Sequence, residues 1–100
     1  MNIWFAIVQI KPLKNNKRLK GADGAYVNVA YKAESQDDFI DKINLSFKEN
    51  DFKIIEIDEI ESKDTVTIDN PDNAEKLELL NDIEVEKFDF SWGTFHTYKK

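Results

Sequence analysis

The chain has no cysteine, three glycines, two prolines and one histidine. Without cysteine there is no disulfide framework and no thiolate metal site, which fits a reducing compartment. The lone His96 has no second histidine with which to hold zinc and no cysteine to activate. The glycines at 21, 24 and 93 form no phosphate-cradling pattern, and "GADG" reads as a turn. No apolar run approaches the roughly 20 residues of a membrane span. The opening "MNIWFAIVQIKP" lacks a basic lead and a small-residue cleavage site, so a cytoplasmic location is expected.

What is present suits a small folded domain. Of 100 residues, 41% are hydrophobic and 12% aromatic, too many for a disordered chain despite 34% charged residues. One domain over residues 1–100 is expected. The net charge of −6 is unevenly spread. Lys11, Lys14, Lys17, Arg18, Lys20 and Lys32 face only Asp23 in the first third, whereas all but one of the 20 acids lie within 34–89. Such an acidic field repels nucleic acid and attracts cationic partners. The basic stretch 11–20 has no interleaved aromatic to stack on bases, so it reads as a solvated loop.

Periodicity supplies the elements. In "NIWFAIVQI", Trp4, Ala6, Val8 and Ile10 share one face and Ile3, Phe5 and Ile7 the other, which predicts a central strand covered on both sides. "AYVNVAYK" alternates as a second strand after a long hairpin connection. Phe39, Ile40, Ile43 and Phe47 then recur at helical spacing, with Ser35 as N-cap and Asn50 as stop. "DFKIIEIDEIE" predicts a third strand, and "DTVTID" (64–69) a short further one. Asn70-Pro71 reads as the start of a second helix carrying Ala74, Leu77, Leu80 and Ile83. Phe88, Phe90 and Trp92 alternate in a last strand, which "TFHTYKK" continues beyond Gly93. The order β-β-α-β-(β)-α-β predicts an α+β two-layer sandwich: one mainly antiparallel sheet with two helices on one face. Trp4, Phe39, Phe47, Phe52, Phe88 and Phe90 are expected in the core, and Trp92, Phe95 and Tyr98 are candidates for an interface.

The unusual stretch is "EIDEIESKD", with five carboxylates in nine residues. Glu56 and Asp58 fall on one face of a strand, a spacing that could hold Mg²⁺ through oxygen ligands. Acidic strands produce that spacing often, and a charged edge strand protected from unwanted pairing is the plainest explanation. The third reading is a docking patch of Glu56, Asp58, Glu59, Glu61 and Asp64, with Asp69 and Asp72 nearby. No catalytic group, cofactor or metal is assigned.

Size, acidity and the stretch "EIDEIESKD" beside a strand resemble the small bacterial immunity proteins of toxin–immunity systems, including those of contact-dependent growth inhibition. "WFAIVQIKP" and "FSWGTFHTY" add to the resemblance without carrying a role. The resemblance implies a non-enzymatic protein that binds a cognate toxin with a basic surface, often a nuclease, and covers its active site or substrate groove. Neither nucleic acid nor membrane is an expected partner. The competing expectation is a small regulatory or ligand-binding α+β domain, homodimeric through an open sheet edge.

Overall fold

A computed structural model describes residues 2–13, 19–65 and 74–99. Strand β1 (Asn2–Pro12) is followed by β2 (Gly24–Ala33), helix α1 (Gln36–Glu49) and β3 (Phe52–Ser62). A 3₁₀ turn (Lys63–Thr65), helix α2 (Ala74–Glu84) and the short strands β4 (Phe90–Trp92) and β5 (His96–Tyr98) complete it. The five strands form one antiparallel sheet in the order β3-β1-β2-β4, with β5 also paired to β2. The expected α+β class, with one antiparallel sheet and two helices, is therefore what the chain adopts.

The main core lies between α1 and one face of the sheet. Ala6, Val8 and Ile10 of β1 and Val27, Val29 and Tyr31 of β2 meet Phe39, Ile43 and Phe47 of α1. The i, i+4, i+8 spacing puts those three helix residues on one stripe. Phe47 stacks on Trp92 with ring centroids 4.2 Å apart and an interplanar angle of 6°. Phe52 meets both rings edge-on. Trp92, a candidate for an interface from the sequence, is thus part of this aromatic cluster.

Local chemistry marks both ends of α1. Ser35 accepts a hydrogen bond from the Asp38 amide at 3.1 Å, and Asp38 accepts one from the Glu34 amide at 2.9 Å. The Glu34 bond, followed by Lys42 at 3.3 Å, holds the Asp38 carboxyl below its ordinary value. At the far end Asp51 takes φ +60 and Asn50 Nδ2 donates to the Ser46 carbonyl. Asp and Asn tolerate this left-handed region better than most residues, so the helix stops without a glycine. Ser35→Ala is expected to lower stability by about 1 kcal/mol in urea denaturation. The Asp38 contribution is present above the pKa of an unfolded aspartate and is lost as pH falls through its lowered folded value.

Helix α2 corrects one detail of the expected architecture. It packs Leu79, Leu80 and Ile83 against Ile3, Phe5 and Ala30, on the sheet face opposite α1. The helices therefore do not share a face. Ile3 and Phe5 point away from Trp4 and Ala6 and need their own cover, which α1 cannot supply. Phe88 and Phe90 also leave the expected core, being 54% and 45% exposed. Phe88 precedes β4, where the chain is still turning from α2, and Phe90 lies flat on Tyr31 at 5.0 Å. Residues 64 and 65 lie in the 3₁₀ turn rather than in a strand. The rest of the expected strand to 69 and the helix start at Asn70-Pro71 lie outside the described residues.

Candidate functional site: an open acidic half of the sheet

Strand β3 carries the acids on an edge, and two bulges determine where they point. Ile54, Ile57 and Ile60 are spaced by three, whereas an unbroken strand repeats by two. The pairing with β1 shifts between Gln9 and Ile10, and again between Phe5 and Ile7. Each shift admits one extra residue on β3, the second near Glu59 at φ +50. All three isoleucines consequently pack against the α1 core. The bulges also kink the edge and hinder pairing with another strand.

The acids are thereby sorted. Glu56 and Asp58, opposite Gln9 and Ile7, project from the face opposite α1 and are exposed. Glu59 is exposed at the bulge, and its amide donates to Asp58 Oδ1 at 2.8 Å. Glu61 is engaged by Lys76 of α2, and Asp64 accepts from Asn2 Nδ2 at 3.3 Å. Among the described residues no lysine or arginine pairs with Glu56, Asp58 or Glu59. Asp69 and Asp72 lie outside the described residues.

Helix α2 covers only part of its side of the sheet. Lys76 holds it to β3, and Ser91 Oγ donates to its Asp82 at 2.7 Å. Asn28 Nδ2 donates to Glu75 at 2.8 Å, at the edge of the covered area. Beyond it, Ile7, Gln9 and Tyr26 have no helix over them among the described residues. Here Gln9 Nε2 donates to the Tyr98 hydroxyl at 2.9 Å, and the Tyr26 and Tyr98 rings lie 5.5 Å apart. Gly24 makes room for this arrangement: a Cβ there would meet Tyr98 Cζ at 2.5 Å and the Ile10 carbonyl oxygen at 2.7 Å. Ile7, Gln9, Tyr26, Glu56 and Asp58 line a small depression of about 40 Å³.

His96 sits beside this face, its Nε2 3.7 Å from Glu75 Oε2, beyond hydrogen-bond distance and with a side chain 60% exposed. Among the described residues no group of three or more histidine, cysteine or acidic side chains could hold a metal ion. A larger groove of about 670 Å³ runs along the outer side of α2, but its described lining comes from Leu77–Val85 alone. No described helix is long and apolar enough to cross a membrane.

The sequence pointed to Glu56 and Asp58 and offered Tyr98 as an interface candidate, but missed Gln9 and Tyr26. Tyr26 lies opposite a run of apolar residues on its own strand, which was the available signal; Gln9 and Tyr98 come together only through the sheet register. Comparison with protein-family models, curated proteins and solved structures finds no match.

Proposed function

We propose that the protein is a non-enzymatic binder that meets a cationic protein through the open acidic half of its sheet. In the manner of the immunity proteins its sequence resembles, it would neutralise a cognate toxin, a nuclease being the apt case. The observation that carries this reading is the outward pair Glu56 and Asp58, which no lysine or arginine pairs among the described residues, on a strand whose two bulges turn Ile54, Ile57 and Ile60 toward the α1 core. A nuclease groove is basic because it holds phosphates, and a carboxylate-bearing face can occupy such a groove without being cut. Charge pairs closed across an interface of this kind couple by about 1.5–7 kcal/mol in favourable cases. A homodimer zipped along β3 is disfavoured by the two bulges and by the charges on that edge.

The test is co-expression of the chain with the toxic domain encoded next to its own gene. Growth restored by this protein, together with a stable complex of the two purified proteins, supports the reading. A neighbouring toxic domain that kills equally well with and without the folded protein overturns it. So does the absence of any such domain beside the gene.

A further inference from the structure

We infer that the depression between Tyr26 and the Glu56–Asp58 pair is a seat for one arginine side chain of the partner protein. This rests on the proposed acidic docking face and specifies its anchor. Charge alone does not make the seat. Its floor is Ile7, an apolar surface suited to the methylene stem of a long side chain. One wall is the ring of Tyr26, 45% exposed and braced by Tyr98 at 5.5 Å. A guanidinium is flat and weakly hydrated, and it stacks on aromatic faces; a lysine ammonium is compact and strongly hydrated.

The acceptors around the ring suit a group with five N–H donors. Glu56 and Asp58 stand at alternate positions of β3, so both carboxylates come from the same side. Gln9 gives its amide donor to the Tyr98 hydroxyl, which leaves its side-chain oxygen to accept. Gly24 lets Tyr98 lie across β2, and Tyr98 in turn steadies both Tyr26 and Gln9. The seat therefore exists before the partner arrives, which reduces the ordering that binding requires.

The test titrates the isotope-labelled full chain with two blocked tripeptides, acetyl-Gly-Arg-Gly-amide and acetyl-Gly-Lys-Gly-amide, followed by NMR. The arginine peptide is expected to shift Ile7, Gln9, Tyr26, Glu56 and Asp58 and to bind about two- to fivefold more tightly than the lysine peptide. Tyr26→Leu should abolish that preference and Tyr26→Phe should keep it. Equal binding of the two peptides by the unmodified chain, with shifts still centred on Glu56 and Asp58, overturns the arginine seat and leaves the acidic docking face standing. A preference that survives Tyr26→Leu does the same. No shift on this face with either peptide overturns both.

Discussion

Changing Glu56 and Asp58 together to lysine is expected to slow association with a cationic partner about tenfold or more at low ionic strength. The double variant moves the net charge from −6 to −2 and places two cations where the proposed docking face presents two anions. Long-range attraction weakens and close-range pairs become repulsive, so the association rate and its salt dependence should fall together. The fold should survive, because both side chains are exposed and neither has a cation partner among the described residues. Stability is expected to stay within about 0.5 kcal/mol of the parent. Stopped-flow binding to the purified cognate protein across a salt series reads the effect, with circular dichroism as the check on folding. An unchanged rate in a folded variant would remove Glu56 and Asp58 from the interface. The outcome for Glu61→Lys should differ in kind, because that carboxylate is already engaged by Lys76 and its reversal would loosen α2 from β3.

The largest expected effect on stability comes from Phe47→Ala, about 3–5 kcal/mol. Phe47 is fully buried, and its ring lies flat on Trp92 while meeting Phe52 at 6.0 Å. These three rings join α1, β3 and β4, so truncation leaves a cavity bounded by three elements rather than a dent that one side chain can fill. A domain of this size has only about 5–15 kcal/mol to lose, so the variant should melt far lower or fail to fold at all. Phe88→Ala is the matched comparison, since that ring is 54% exposed and its loss should shift stability by less than about 1 kcal/mol. Urea denaturation of the pair decides the matter: similar midpoints for the two variants would mean that the stacked rings do not hold the core together.

Several elements could be read directly from residue order. Ser35 and the recurrence of Phe39, Ile43 and Phe47 mark α1 closely, because helix capping and a 3.6-residue stripe are local properties. The two apolar faces of β1 likewise announced a central strand. Those same faces held the information about α2, since Ile3 and Phe5 need a cover separate from that of Ala6 and Val8. Knowing that a cover is needed does not say which segment provides it; the choice depends on chain connectivity and on the fit of Leu79, Leu80 and Ile83.

The candidate site divides along the same line. That Glu56 and Asp58 share a face follows from strand alternation, and the excess of 20 acids over 14 cations gives the domain its acidic character; both can be read from the sequence alone. Two bulges decided which face they share, because three isoleucines spaced by three can reach one core only if β3 takes in an extra residue between each pair. The sheet register brought Gln9, Tyr26 and Tyr98 to that face from three different strands, and among the described residues α2 does not reach over it. Local order thus determined the elements and their charge. Long-range packing, which fits each apolar stripe to a surface made elsewhere in the chain, decided which carboxylates are exposed and which are engaged by a neighbouring element.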